Sequence, residues 1–379
     1  MTVLDHRHLA GDVPGWRPGA SGPRTDPAPL LPDHEPYRML GTPAAEKAEP
    51  LLLTELYRRL VAGRRYNQQA TTLTKQGRLA VYPASTGQEA CQVAAALALR
   101  QDDWLFPSYR DTLAVVSRGV DLLEALTLLR GNAHTGYDPR ATRTAPLSTP
   151  LATQAPHAVG LAYAARLRGE DTVALAMLGD GGTSEGDFHE ALNFAAVLNA
   201  PVVFLVQNNG YAISVPLTRQ SAAPTLAHKA VGYGLPGRLV DGNDALAMHT
   251  VLTEAVERAR SGGGPTLVEA VTYRIEAHTN ADDATRYREE EEIAAWRDHD
   301  PILLMERQLR DAGLMDAALA QDATEAAEAL AARMRSEFHA DAKLDPMSLF
   351  AHVYAEPTQQ LREQAEQLAA ELAAEEHSR

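Results

Sequence analysis

The chain has 379 residues, a formal net charge of −15 and one cysteine. That length buries a large core and permits two or three domains, and the acidic surplus argues against a nucleic-acid partner, which favours a basic surface. A lone thiol excludes an intramolecular disulfide and fits a reducing compartment; no apolar run reaches membrane-spanning length and residues 1–8 do not open a signal peptide, so a cytoplasmic protein with no membrane partner is expected.

Residues 1–46 are rich in proline and glycine with little periodicity and read as an extended or partly disordered arm. Residues 50–70 carry Leu53, Leu56, Leu60 and Val61 on one helical face. Residues 86–100 (TGQEACQVAAALALR) read as another helix, with Cys91 as a core residue. The run 104–107 leads into Ser108-Tyr109-Arg110-Asp111, and 121–130 is helical again. A polar loop with prolines at 141–150 precedes a strong helix at 154–168, on which Ala158, Leu161, Ala162 and Ala165 align. The segment leading into it, Ser148-Thr149-Pro150-Leu151, is placed to turn unpaired amides toward an anion.

Residues 172–178 (TVALAML) are a short apolar run broken by Gly179-Asp180-Gly181-Gly182, the pattern of a buried parallel strand. Ser184 and Glu185 stand where a helix begins, Phe188, Leu192, Ala195 and Leu198 give it an apolar face, and Pro201 ends it. A second strand at 202–206 stops at Gln207-Asn208-Asn209. Further strands are expected at 238–240 and 266–273, with a helix at 244–260 between them. The loop 274–288 is long and charged. Glu289 to Glu292 open a helix at the end where acidic residues suit the dipole, and more helix follows from Pro301, broken at 345–354 before a last helix at 357–376. His189 reads as structural, and His157 is left unassigned. The domain reading is an arm over 1–46, a main α/β domain over 47–345 and a helical tail over 346–379.

Two parallel strands joined through a helix place Asp180 and Asn209 at the same sheet edge, outside the carboxyl ends where ligands of such folds gather. A carboxylate and an amide oxygen are hard ligands suited to Mg²⁺, with phosphate oxygens completing its shell. Glycines around Asp180 allow close backbone approach to a phosphate. A dinucleotide fingerprint fits poorly, because Ser184 stands where glycine or alanine is needed, and no Walker lysine follows. A Gly-rich turn with no ligand is the bland alternative, but it does not require the distant Asn pair.

Gly179-Asp180-Gly181 followed, after the 26 residues 182–207, by Asn208-Asn209 resembles the thiamine diphosphate fingerprint. The resemblance widens over about 51–301 to the alpha subunit of the thiamine-dependent 2-oxo acid dehydrogenases. It is carried by Gly87-Gln88-Glu89-Ala90, Phe106-Pro107-Ser108-Tyr109-Arg110, Pro150-Leu151-Ala152-Thr153-Gln154, Val240-Asp241-Gly242-Asn243-Asp244 and the loop 274–288. It implies a thiamine diphosphate-binding fold, a mostly parallel sheet with helices on both faces. It further implies Mg²⁺ held by Asp180, Asn209 and the Tyr211 carbonyl, and a diphosphate approached by the Gly181 and Gly182 backbone and gripped by Tyr109 and Arg110. Thr149 and Leu151 would face the middle of the cofactor, and Gln207, where branched-chain relatives can carry arginine, would lie near the phosphates. His278 would be the active-site histidine. Ser148, Thr153 and Gln154 mark a segment that holds a monovalent cation in some relatives, and Thr279 follows His278 where animal relatives carry a phosphorylated serine.

The same resemblance implies oxidative decarboxylation of a small 2-oxo acid, with acyl transfer to the lipoyl group of an acyltransferase partner. The glutamate that activates the cofactor would come from a separate beta subunit, in an α₂β₂ heterotetramer with the cofactor at the interface. The runs 148–154 and 274–288 look closer to branched-chain enzymes, with pyruvate as the alternative substrate. A different class, a non-catalytic Mg²⁺- or nucleotide-binding regulatory protein, would keep the strand–helix–strand core but has no use for Tyr109, Arg110 and His278 together.

Overall fold

A five-stranded, wholly parallel sheet organises the chain in the computed structural model, which describes residues 27–132, 134–338 and 345–377. Its strands are β1 (Trp104–Phe106), β2 (Ala174–Gly179), β3 (Val202–Asn208), β6 (Gly237–Asp241) and β7 (Thr266–Val271), in the order β1-β2-β3-β7-β6. A small antiparallel hairpin, β4 (Tyr211–Ala212) and β5 (Val215–Pro216), follows β3 directly. Alternation along the strands explains why both sheet faces are covered. Leu175, Met177, Val203, Leu205 and Val268 face one core, built with α2 (Glu89–Leu97) and α7 (Ala245–Arg258). Ala174, Ala176, Leu178, Val202, Phe204 and Val206 face the other, built with α5 (Gln154–Leu167) and α6 (Gly186–Val197).

The register fixes the functional edge. Gly179 of β2 pairs with Gln207 of β3, and Asn208 pairs with Val271 of β7. Asp180 and Asn209 therefore leave the sheet side by side at its carboxyl end. A third apolar cluster joins α1 (Pro50–Lys75) to α2, α3 (Thr112–Ser117), α7, α9 (Pro301–Asp311) and α10 (Ala317–Glu337) through Leu56, Leu60, Val93, Leu113, Met305 and Leu319. The remaining helices are α4 (Pro139–Thr142) and α8 (Glu290–Asp298). The chain divides into two compact units after Glu337, not after 345. The second contains a 3₁₀ turn, Pro346–Phe350, and the exposed helix α11 (Gln359–His377).

Several boundaries differ from the sequence reading. The helix expected from 86 begins at Glu89, because Gly87 is held at φ +97° under the Tyr273 carbonyl, a position no side chain tolerates. Residues 121–130 form two 3₁₀ turns, Glu124–Leu126 and Leu128–Arg130, instead of a helix. Helix α6 stops at Val197, and Asn199 at φ 46° turns the chain before Pro201 is reached.

The N-terminal arm lies partly outside the described residues, at 1–26; its described part packs on the body. Tyr37 donates to the Leu239 carbonyl at 3.0 Å and accepts from the Asp241 amide at 3.1 Å, extending the β6 edge. Asp244, 2 % exposed, caps α7 through the Ala247 amide at 2.8 Å with one oxygen. Its other oxygen takes the Met39 and Leu40 amides at 2.7 and 2.8 Å. Asp244→Ala removes the acceptor of three backbone donors and is expected to lower stability by about 3 kcal/mol. Chemical denaturation measures that loss, and limited proteolysis should newly cut within residues 27–48.

Candidate active site

The carboxyl ends of β2 and β3, the hairpin β4–β5 and the loop 274–288 enclose a cavity of about 510 Å³. Its wall includes Tyr109, Arg110, Thr149, Leu151, Asp180, Gly181, Gly182, Gln207, Asn209, Tyr211 and His278. Every site residue named from the sequence is thus brought to one place.

Three oxygens converge at the mouth of β2 and β3. Asn209 donates its Nδ2 to Gln88 Oε1 at 3.1 Å. The other terminal atom of that amide stands 3.3 Å from Asp180 Oδ1 and 3.1 Å from the Tyr211 carbonyl oxygen; nitrogen suits that place in the chain alone, oxygen with a cation bound. Acceptors facing acceptors are unfavourable without a cation between them; without one, the amide would turn over and donate to both. One carboxylate, one amide oxygen and one carbonyl form a hard-oxygen set that fits Mg²⁺ with phosphate oxygens added. Asp180 is 1 % exposed, and burial pushes its carboxyl up from the ordinary range, opposed by the hydrogen bond from Gln220. Among the described residues it has no ion-pair partner within 4.0 Å.

The glycines beside it have different reasons. A Cβ on Gly181 would lie 2.8 Å from the Ala212 Cβ, so the hairpin itself demands glycine there. At Gly182 a Cβ would sit in ordinary van der Waals contact, 3.6 Å from Leu178 Cδ2 and 4.0 Å from the Ala152 amide nitrogen, so packing alone does not demand glycine there.

Two buried guanidiniums face the same space. Arg110, 5 % exposed, donates to the carbonyls of Ala84 at 3.0 Å and His278 at 3.1 Å. Arg110 makes no ion pair with the adjacent Asp111. Asp111 turns away to accept from the Ser108 amide and hydroxyl at 2.7 and 2.6 Å and from Gln207 Nε2 at 2.7 Å. Arg274, 1 % exposed, donates to the carbonyls of Ile213 at 2.7 Å and Tyr211 at 3.3 Å, and its Nε finds no acceptor. Buried cations bonded to neutral acceptors around a cavity are suited to an incoming anion. The donor set and the charges therefore both fit a metal-bound diphosphate.

Arg110 Nη2 lies 3.0 Å from His278 Nδ1, and Arg274 Nη1 lies 3.5 Å from the same atom. Guanidinium only donates, so Nδ1 accepts and the ring proton sits on Nε2. Burial, then the charges of Arg110 and Arg274, push the His278 pKa down to about 4. The ring is neutral at neutral pH, a donor through Nε2 rather than a group poised between two charge states. The His278 amide donates to Asp282 at 2.8 Å, Tyr287 donates to the same carboxylate, and Arg274 donates to the Tyr287 hydroxyl at 3.1 Å.

Gln207 differs from its expected role. Its amide is already engaged, donating to Asp111 and accepting from Gln88 Nε2 at 3.2 Å, so it braces the 108–111 turn against β3. In the monovalent-cation segment the side chains act as donors, and Gln154 Oε1 is buried without a hydrogen-bond partner. Ser148 donates to the Pro150 carbonyl at 2.9 Å, Thr153 to Asp187 at 3.1 Å and Gln154 to the Met177 carbonyl at 2.6 Å. His189 lies off the cavity against the Tyr233 hydroxyl at 2.7 Å. Sequence reading did not single out Arg274, Gln88 or Gln220. The first two lie inside motifs already noted; Gln220 carries no signal, being outside every motif.

Comparison with known proteins gives the setting. The family described as "Dehydrogenase E1 component" matches residues 57–346. The chain is 48 % identical over 349 residues to the "3-methyl-2-oxobutanoate dehydrogenase subunit alpha" of Mycobacterium tuberculosis H37Rv, covering 90 % of this chain and 95 % of that one. It is 40 % identical over 315 residues to the "Pyruvate dehydrogenase E1 component subunit alpha" of Staphylococcus aureus N315, covering 83 % of this chain and 85 % of that one.

The lowered His278 pKa has a measurable consequence. Between its ordinary value of 6.5 and about 4 the unfolded chain binds the proton and the folded chain does not. His278 therefore costs stability as pH falls through that window. NMR of the imidazole nitrogens should show a neutral, Nε2-protonated ring at about pH 5.5, where an ordinary histidine is mostly charged. Arg110→Met should move the titration upward, toward the ordinary histidine value.

Proposed function

Because the chain belongs to the Dehydrogenase E1 component family, we propose that it is the alpha subunit of a thiamine diphosphate-dependent 2-oxo acid dehydrogenase acting on branched-chain 2-oxo acids. The observation that carries this reading is the convergence of Asp180, Asn209 and the Tyr211 carbonyl beside two buried guanidiniums and a neutral histidine. A regulatory protein with no catalysis would have no use for that whole constellation.

Asp180, Asn209 and the Tyr211 carbonyl would hold Mg²⁺. Arg110 and Arg274 would balance the diphosphate from the loop side, and Gly182 would let it reach the backbone. Thiamine diphosphate, when bound, supplies the carbanion that adds to a 2-oxo carbon and the electron sink that lets carbon dioxide leave. His278 offers Nε2–H as a hydrogen-bond donor to an oxygen of the substrate or of the acyl group, its ring fixed from behind by Arg110. The wall of Tyr109, Thr149 and Leu151 would exclude water from one side of the reacting atoms.

The family reading carries a separate beta subunit, which would supply the other half of the cofactor site in an α₂β₂ assembly, and a lipoyl acyltransferase that takes the acyl group. A cytoplasmic assembly suits the one thiol, Cys91, which is fully buried. Among the described residues no helix is long and apolar enough to cross a membrane. Identity to the branched-chain relative exceeds that to the pyruvate relative, 48 % against 40 %, which favours the branched-chain substrate. Pyruvate is the second reading, favoured by Gln207 standing where branched-chain relatives can carry arginine.

Purified protein combined with its beta chain should decarboxylate 3-methyl-2-oxobutanoate faster than pyruvate in a lipoamide-linked assay; the reverse order makes pyruvate the substrate. Asp180→Ala and Asn209→Ala should each weaken Mg²⁺-dependent thiamine diphosphate binding by about 100-fold or more, measured calorimetrically. His278→Ala should bind the cofactor but lose about 10²-fold or more in rate. Full activity in that variant removes the role given to His278.

A further inference from the structure

The two oxygens of Asp180 have separate neighbours. Oδ1 lies 3.3 Å from a terminal atom of the Asn209 side-chain amide, on the side of the Tyr211 carbonyl. Oδ2 accepts from Gln220 Nε2 at 2.7 Å, a short charge-assisted hydrogen bond. The same nitrogen lies 2.9 Å from the Val215 carbonyl, so Gln220 ties the carboxylate to β5 of the hairpin whose first strand carries Tyr211. Its own position is fixed by a tight turn, in which the Gln220 and Ser221 amides donate to the Leu217 carbonyl at 2.9 and 3.2 Å and the Leu217 amide donates to Gly210 at 2.9 Å. Gln220 Oε1 is buried without a donor, which is where a water retained by Mg²⁺ would find an acceptor.

A carboxylate with one oxygen held in this way offers only the other to a metal. One-oxygen ligation suits the small octahedral shell of Mg²⁺, whereas two-oxygen ligation raises the coordination number and suits Ca²⁺. We propose that Gln220 is a positioning residue that confines Asp180 to one oxygen on the cation and so sets the preference of the site for Mg²⁺ over Ca²⁺. The inference rests on the reading of the site as a metal-bound diphosphate site. Gln220 touches neither substrate nor reacting atoms; it acts through Asp180, and through the hairpin on the Tyr211 carbonyl.

The test titrates Mg²⁺ and Ca²⁺ separately into the full chain assembled with its beta subunit and saturated with thiamine diphosphate, reading each dissociation constant by calorimetry. Two variants are compared with wild type: Gln220→Met, which keeps length and flexibility but cannot donate, and Gln220→Leu, which is shorter and branched and likewise has no donor. Thermal melting of the metal-free assemblies identifies any variant that does not fold, and the other then carries the comparison. The preference for Mg²⁺ over Ca²⁺ should fall by about 10-fold or more in a folded variant, mostly through weakened Mg²⁺. A preference within twofold of wild type, or equal weakening of both ions, overturns the proposal, because a merely structural role would not discriminate between them. Wild-type protein that binds neither ion would remove the reading of the site itself, and that outcome is visible in the wild-type titration alone.

Discussion

Burial of Asp180 without an ion-pair partner is the constraint around which this molecule is arranged. A carboxylate at 1 % exposure pays a large desolvation cost unless charge or hydrogen bonds oppose it. Here the opposing groups are the Gln220 side-chain amide, the backbone amides of Asp180 and Asn209, and the more distant charge of Arg274. Arg274 is itself depressed by burial and by the like charge of Arg110. Among the described residues neither sign finds its balance: the anion lacks a contacting cation, and the guanidiniums bond to carbonyls. A divalent cation bridging to a diphosphate would satisfy both at once, and the proposed metal oxygens and the arginines would then form one site.

The sheet makes that arrangement possible. Parallel pairing ends β2 and β3 in register, at Gly179 opposite Gln207, so the next residues of each strand emerge together. Apolar contact on both faces fixes the strands and hence the separation of Asp180 and Asn209. Polar side chains then carry that precision outward. Gln88 links Asn209 to Gln207, Gln207 reaches Asp111, and Asp111 pins Ser108 in the turn that carries Tyr109 and Arg110. The metal ligands and the anion-binding arginine are therefore joined by one buried hydrogen-bonded chain, so a change at one end is felt at the other.

Four strands of the sheet were legible from sequence as apolar runs bounded by turn residues, whereas β1, only 3 residues long, was not read as a strand; the proximity of Asp180 and Asn209 was legible because each follows a strand end. The illegible parts are set by tertiary contact. Gly87 disfavours helix by itself, but nothing local reveals that it sits under the Tyr273 carbonyl. Gln207 reads as a phosphate contact by position, but its hydrogen bonds depend on Asp111, which lies far away in the chain. The neutrality of His278 is equally invisible, because it follows from two arginines brought together by folding. Gln220 is the extreme case: an ordinary surface-type residue in a turn, made consequential by one oxygen of Asp180.

The same charges connect function to stability. A neutral His278, a desolvated Asp180 and a desolvated Arg274 are all held away from their ordinary ionisation by burial, so the hydrophobic core supports a site that opposes folding. Ligands that bind only the folded state return stability by mass action. The gain is greatest where the ligand neutralises the buried charges that resist folding most strongly. In this chain those charges surround the cavity at the carboxyl ends of β2 and β3 and involve the hairpin and the 274–288 loop on either side. Loading with metal and diphosphate would therefore act on the hairpin and the 274–288 loop, and the order of the site would follow its occupancy.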